Sequence, residues 1–183
     1  MLRTLSLLPL LAVIGCGPPW IAHRLSGPPS ALAGTQALLV SFDLGQVVID
    51  GYDYPAFLAL AEPEEVDNVE RALAELQPTL YQEFAARVPV PAQRVEPTPA
   101  GPGEVRMVAV LEEVIRGPRG PCCGATRVTW RFEFFVDGTL TDSISVPTEV
   151  GSSITRPSVE QRAQAASRRA GAVAASFVQK NLG

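Results

Sequence analysis

Hydrophobic and polar residues alternate most clearly over residues 127–136, which predicts a strand with one buried face. The apolar positions are Val128, Trp130, Phe132, Phe134 and Val136, and the polar ones are Arg127, Thr129, Arg131 and Glu133. Asp137-Gly138 is typical of a tight hairpin, and residues 139–146 return as the next strand. Residues 105–115 are apolar on both faces, which predicts a central strand. The pattern therefore predicts three consecutive antiparallel strands.

Two segments have apolar residues spaced by three and four, which is typical of helices. Over residues 64–87 the apolar stripe consists of Val66, Val69, Leu73, Leu76, Leu80 and Phe84, and Pro78 predicts a kink or a split. Over residues 159–182 it consists of Ala163, Ala166, Ala170, Val173, Ala174 and Phe177, after a capping box of Ser158 and Gln161. We expect Arg162, Arg168 and Arg169 to lie on the solvated side of this second helix.

Shorter patterns complete the predicted order of elements. Residues 36–50 are β-rich with a bend at Gly45, residues 52–55 form an irregular loop before Pro55, and residues 88–103 form a proline-rich, exposed connection. The predicted order is strand, helix, three antiparallel strands, helix. This is an α+β fold in which both helices pack on one face of an antiparallel sheet.

The first fifteen residues have the parts of an export signal. Arg3 supplies a positive charge, and residues 5–14 form an uncharged apolar run, too short for a membrane-spanning helix of roughly 20 residues. Val13-Ile14-Gly15-Cys16 then resembles the lipobox of bacterial lipoproteins. The resemblance implies cleavage before Cys16 and attachment of acyl chains such as palmitate to that residue. Because Gly17 rather than an aspartate follows, the outer membrane is favoured as the location, with the inner membrane left open.

The chain thus divides into a signal peptide (1–15), a lipidated cysteine with a Pro/Gly-rich tether (16–35) and a single α+β domain (36–183). Trp20, Ile21 and Leu25 of the tether either dock on the domain or sit in the membrane interface. With 46% hydrophobic residues the chain can build one real core. A net charge of −4 without a basic run argues against a nucleic-acid partner.

The order of elements behind a lipobox is similar to that of small envelope lipoproteins, namely the ABC-transporter auxiliary lipoproteins and those with a TolB-amino-terminal-like fold. The resemblance implies a non-enzymatic accessory or scaffold subunit of a periplasm-facing envelope complex, with a protein partner. The alternative is a carrier that binds a small apolar ligand between the helices and the sheet. An aromatic-lined cavity near Trp130 and Phe132 would favour the carrier, whereas a packed core with an apolar patch or a free sheet edge would favour the scaffold.

Few residues suggest chemistry, and we expect no catalytic residue, cofactor or metal. The one histidine, His23, lies in the tether, and Glu112-Glu113 should point to opposite faces of their strand. Asp142 is the carboxylate most suited to burial, with a structural hydrogen bond. Cys122 and Cys123, in a loop rich in proline and glycine, could form a vicinal disulfide, stay free or bridge to another chain. We expect this loop to lie away from any pocket on the helix-covered face.

Overall fold

Short strands and two helices make up the first part of the chain, and a three-stranded meander followed by one long helix makes up the rest. The computed structural model describes residues 18–117, 124–153, 155–156 and 158–183. The strands are β1 (Ile21–Arg24), β2 (Leu38–Asp43), β3 (Val48–Ile49), β4 (Tyr52–Asp53), β5 (Ala92–Arg94), β6 (Val105–Ile115), β7 (Ala125–Val136) and β8 (Thr139–Gly151). The helices are α1 (Tyr54–Leu60), α2 (Pro63–Arg87) and α3 (Val159–Asn181).

The eight described strands form one mixed sheet in the order β1-β8-β7-β6-β2-β5, with β3 also paired to β6 and β4 to β3. β6, β7 and β8 are antiparallel neighbours, which confirms the predicted meander. However, β2 runs parallel to β6, and β5 runs parallel to β2. The prediction of an antiparallel sheet with a single strand before the meander was therefore wrong. Parallel neighbours need a crossover connection, and the helical segment α1–α2 supplies one between β2 and β5.

The predicted alternation along β7 is confirmed at four of its five apolar positions. Those four side chains are fully buried: Val128, Trp130, Phe132 and Phe134. Val136 is only half-buried, because it is the last residue before the hairpin. Asp137 and Gly138 have φ angles of 51° and 75°, as the predicted tight turn requires.

Both long helices cover the same face of the sheet, as predicted. On α3, Ser167 Oγ accepts a hydrogen bond of 3.0 Å from Trp130 Nε1, and the Phe177 ring stacks on Phe134 with 5.2 Å between the ring centroids. Near the other edge of the sheet, Tyr81 of α2 donates a 2.9 Å hydrogen bond to the carbonyl of Ala92. α2 continues through Pro78, so the helix is not split there.

α2 and α3 approach each other closely at Gly171. A methyl group at this position would lie 2.5 Å from the Leu80 carbonyl oxygen and 3.3 Å from the Phe84 amide nitrogen. The absence of a side chain at Gly171 allows this close approach between the two helices.

The segment expected to be a tether without strand structure instead contains β1, which pairs antiparallel with β8. The Trp20 ring meets Phe177 edge-on at 5.5 Å, and Leu32 is fully buried. Ser26 N donates to Asp142 Oδ1 at 2.8 Å, so the predicted burial and structural hydrogen bond of Asp142 are confirmed. Every residue of β1 is exposed, and such an edge strand has no alternating pattern by which the sequence could reveal it.

Two further segments expected to be irregular contain regular elements. Residues 52–55 hold β4 and the start of α1, where Pro55 occupies the first turn and Asp53 Oδ1 accepts the Ala56 N–H at 2.8 Å. Proline is compatible with a helix at that position because its missing N–H would have no intrahelical partner there. Residues 88–103 contain β5, which is only three residues long and too short to show a pattern.

Candidate functional site

Of the site residues predicted from the sequence, Cys16, Cys122 and Cys123 lie outside the described residues. The loop that carries the cysteine pair departs from Gly117, and Gly117 lines a cavity between the helices and the sheet. The expectation that the tip of this loop lies away from any pocket concerns residues outside the described part of the chain, whereas the base of the loop borders this cavity. The reason is that β6 ends beside the N-terminal parts of α2 and α3, and a hairpin at that end begins next to both helices.

The cavity encloses about 430 Å³ at the end of the sheet where β6 stops. Apolar side chains from the sheet and α2 form its floor, among them Ile49, Val69, Leu73, Leu76 and Val114. Carboxylates are prominent around it: Asp50, Glu62, Glu64, Glu65 and Glu160. No aromatic residue is among its described lining residues. The cavity therefore has apolar side chains at its base and carboxylates around them. This arrangement suits an amphiphile with a positive charge better than a purely apolar ligand.

Arg116 fixes one wall of this cavity. Its backbone N–H and its Nε bond the Asp50 carboxylate at 2.8 and 2.5 Å, and its Nη1 bonds Glu65 Oε1 at 2.5 Å. The guanidinium also lies 5.0 Å from the centroid of the Phe57 ring. Burial lowers the pKa of Arg116, and the hydrogen bonds and charges of Asp50 and Glu65 together raise it by more. Arg116 therefore stays cationic and links β6 to α2 and α1.

A series of buried hydrogen bonds connects α3 to Arg116. Arg162 is fully buried, its Nε donates to Thr126 Oγ1 at 2.9 Å, and that hydroxyl donates to the Arg116 carbonyl at 2.7 Å. The prediction that Arg162 lies on the solvated side was wrong, whereas Arg168 and Arg169 are exposed as predicted. Arg162 comes immediately before Ala163 in the sequence, and Ala163 belongs to the apolar stripe of α3 that faces the sheet. Its long aliphatic stem can follow that stripe while the guanidinium finds buried acceptors.

A second polar cluster lies on the face of the sheet opposite the helices. His23 Nε2 is 2.8 Å from Ser145 Oγ, Ser145 Oγ donates to Glu112 Oε2 at 2.8 Å, and Glu112 Oε1 is 3.0 Å from Arg131 Nε. Because the single hydroxyl proton of Ser145 goes to the carboxylate, the imidazole nitrogen donates to the serine. In a catalytic triad the histidine accepts the serine proton instead. The direction of these hydrogen bonds therefore differs from that in a catalytic triad. The cluster instead links β1 to the neighbouring strand β8.

A β-bulge in β6 shapes this cluster. The register between β6 and β7 shifts between Leu111 and Glu113, and Glu113 then lies opposite Thr129. Glu112 contacts Arg131, which projects from the same polar face as Thr129. The expectation that Glu112 and Glu113 point to opposite faces was therefore wrong, because a bulge interrupts the alternation of a regular strand.

Other kinds of site are less well represented in the described part of the chain. No group of three or more His, Cys, Asp or Glu there could hold a metal ion. Among the same residues, no helix combines the length and apolar character needed to cross a bilayer. Large exposed apolar side chains fall into two groups, namely Ile21 and Leu25 on or next to β1, and Tyr52, Leu58 and Leu60 around α1.

The chain is thus a mixed α/β protein with one helix-covered sheet face and one polar face. No protein-family model matches the sequence, and the comparison with curated proteins gave no significant match. Similar solved structures include the PelC dodecamer from Paraburkholderia phytofirmans, at 14% identity and a TM-score of 0.41 over 84% of this chain and 97% of that one. Another is an uncharacterized protein, at 14% identity and a TM-score of 0.44 over 80% and 94%. The function must therefore be inferred from the residues of this chain.

The cavity and the ion pairs that Arg116 forms beside it were not predicted from the sequence. Asp50, Glu65 and Arg116 are far apart in sequence and carry no motif. The one local signal is Asp50-Gly51, which marks a turn, and both residues indeed have positive φ angles of 50° and 88°. That signal locates a bend but does not reveal which side chains meet there.

Proposed function

We propose that the protein is a lipid-anchored, non-enzymatic accessory or scaffold protein of the bacterial cell envelope, held at the periplasm-facing surface of the outer membrane. The observation that carries the scaffold role is the pair of free sheet edges. Among the described strands, β1 and β5 end the sheet order and each has one neighbouring strand. An unpaired strand edge is a template onto which a partner protein can add a strand.

The packing of the core supports the same proposal. Trp130 and Phe132 are fully buried against the helices, so the space in which an aromatic-lined ligand cavity would form is filled by side chains. The described cavity lies instead at the end of the sheet and has no described aromatic lining. Of the two rival functions, a packed core with free edges favours the scaffold.

Residues 20–32 pack on the domain, so only a short segment separates the proposed lipid anchor at Cys16 from the folded domain. Ile21, where β1 begins, lies five positions after Cys16, and a fully extended chain spans at most about 18 Å over that interval. Acyl chains on Cys16 would therefore hold the folded domain against the lipid surface rather than lift it away. A partner that adds to a sheet edge would meet the protein close to the membrane.

The anchor is tested by the Cys16→Ala variant. We expect it to lose metabolic labelling by fatty acids and membrane retention, because only the thiol of a lipobox cysteine accepts the diacylglycerol. The double variant Cys122→Ser/Cys123→Ser is the matched control, since it removes two thiols but leaves the lipobox, and it should stay labelled, folded and membrane-bound. Fatty-acid labelling of Cys16→Ala, or its loss in the control, would contradict the proposal.

The scaffold role is tested by photo-crosslinking in intact cells. A photoreactive amino acid replaces Ala22 on β1 or Gln93 on β5, both exposed on edge strands, and in the control it replaces Gln179, which is exposed on α3. We expect at least one edge position to give a discrete adduct with an envelope protein, and the α3 position to give none. If neither edge position forms an adduct, or if the α3 position forms the same one, the edge-mediated scaffold is wrong.

A carrier function remains the second candidate because of the cavity of about 430 Å³. Its apolar floor and acidic surround would suit an amphiphile with an amine group, rather than the wholly apolar ligand first considered. Native mass spectrometry of protein extracted from membranes in mild detergent distinguishes the two functions. A stoichiometric small molecule would favour the carrier, and a ligand-free protein bound to a partner would favour the scaffold.

A further inference from the structure

The cavity at the end of the sheet lies between the first parts of two helices that run in the same direction. Its lining residues fall within residues 62–76, which include the first half of α2, and within residues 159–163, the first turn of α3. Further along both helices, Gly171 of α3 packs against the backbone of Leu80 of α2. The helices therefore meet beyond the cavity and close it on that side, and its mouth lies where both helices begin.

The two ends of the cavity differ in polarity. Leu73, Leu76 and Ala163 lie toward the closed end, and all three side chains are buried. Glu62 and Glu64 lie at the mouth, where α2 begins, and both are exposed. The distance along the helix axis from Glu64 to Leu76 is about 18 Å. The cavity can therefore hold a chain-like molecule whose two ends meet different surroundings.

The charges around the mouth favour a cation. Apart from Glu160, which takes part in an interaction of its own, the lining residues include four carboxylates and one guanidinium, with a formal charge of −3. These charged residues are Asp50, Glu62, Glu64, Glu65 and Arg116. The N-terminal ends of α2 and α3 each contribute roughly half a positive charge, so about two negative charges remain. A cationic group at the mouth is therefore attracted, and an anionic group is repelled.

The existing ion pairs decide which charged groups can contact a ligand. Arg116 is bonded to Asp50 and Glu65, so an anionic ligand would have to displace these partners in order to reach its guanidinium. Within the described part of the chain, the carboxylates of Glu62 and Glu64 have no hydrogen-bond or ion-pair partner. Carboxylate oxygens accept the N–H groups of an ammonium ion. The mouth therefore offers acceptors to an amine and no unpaired cation to an acid.

We propose that the cavity binds a long-chain amine, with its protonated amino group at Glu62 and Glu64 and its apolar chain between α2 and α3 toward Leu76. Burial of the chain against the leucine side chains removes apolar surface from water, and the carboxylates fix the orientation. This inference rests on the carrier function, the second candidate above, and adds the ligand class and the direction in which the ligand lies. It does not depend on the lipid anchor or on the sheet edges.

Competitive photolabelling of the full-length chain, purified in a mild non-ionic detergent, tests the ligand class. The probe is dodecylamine with a photoreactive group in its alkyl chain. The competitors are dodecylamine, dodecanol and dodecanoate, which share one alkyl chain and differ in the charge of the head group. We expect the probe to label residues 62–76 and 159–163. Dodecylamine should displace it at concentrations roughly tenfold lower than those of the other two competitors.

The double variant Glu62→Gln/Glu64→Gln tests the position of the amino group. Asp67→Asn/Glu75→Gln is the matched control, because it removes two exposed carboxylates of α2 that are not among the described lining residues. The affinity for dodecylamine is measured as the concentration that displaces half of the probe. We expect it to fall by about three- to tenfold in the first variant and to change by less than about twofold in the control. The affinity for dodecanol should stay the same in both.

The outcomes separate this inference from the carrier function. Selective displacement by dodecylamine, with a loss of affinity in the first variant alone, supports the inference. Displacement by all three competitors at similar concentrations overturns it and leaves the cavity as a carrier site for apolar chains. No labelling at the cavity overturns the inference and the carrier function together. Equal losses in the two double variants, or no loss in the first, overturn the position assigned to the amino group and with it the inference.

Discussion

Replacement of Phe132 by alanine is expected to lower the free energy of unfolding by about 3–5 kcal/mol, which is a large part of the 5–15 kcal/mol of a typical domain. Phe132 is fully buried in β7, between Ala109 of β6 and Ile144 of β8. Truncation removes apolar contacts and leaves a cavity that the surrounding strands and helices cannot close. Chemical denaturation followed by circular dichroism measures the loss.

Phe135→Ala is the matched control for this prediction. Phe135 lies on the same strand and on the opposite face, facing Arg106 of β6 across the polar side of the sheet, and it is only half-buried. We expect a clearly smaller loss of stability there, because less apolar surface leaves the core. Equal losses at both positions would contradict the assignment of one buried and one open face.

Gly171→Ala is expected to destabilise the protein by roughly 1–2 kcal/mol, although alanine is the better helix former by about 1 kcal/mol. The added methyl would lie 2.5 Å from the Leu80 carbonyl oxygen, a backbone atom that cannot rotate away. α2 and α3 would have to separate, and the side chains packed between them would lose contact. Thermal unfolding of the variant measures the effect.

Gly151→Ala provides the comparison for that substitution, because a methyl group at Gly151 meets no atom within 4 Å. Its stability should change by no more than about 0.5 kcal/mol. If Gly171→Ala instead stabilises the protein, as helix propensity alone predicts, then the two helices are not in close contact at this position.

The candidate site was less predictable than the core. His23 was assigned to a tether but lies on β1 against Ser145, and Arg162 was assigned to solvent but is buried beside Thr126. Both errors have the same cause. Hydropathy describes the average environment of a residue type, whereas a polar side chain can be buried wherever the fold supplies a hydrogen-bond partner. Such partners come from distant segments, which no local window contains.

The sequence by itself determined the elements whose signals are local and repeated. The alternation of β7, the Asp137-Gly138 hairpin, the apolar stripe of α2 and the capping box of α3 are confirmed because neighbouring residues share the same periodic surface. Only the tertiary structure decided that β2 runs parallel to β6, that β1 completes the sheet edge and that Gly117 borders a cavity. These features depend on contacts between segments far apart in sequence, whose free energy appears only when the whole chain has folded.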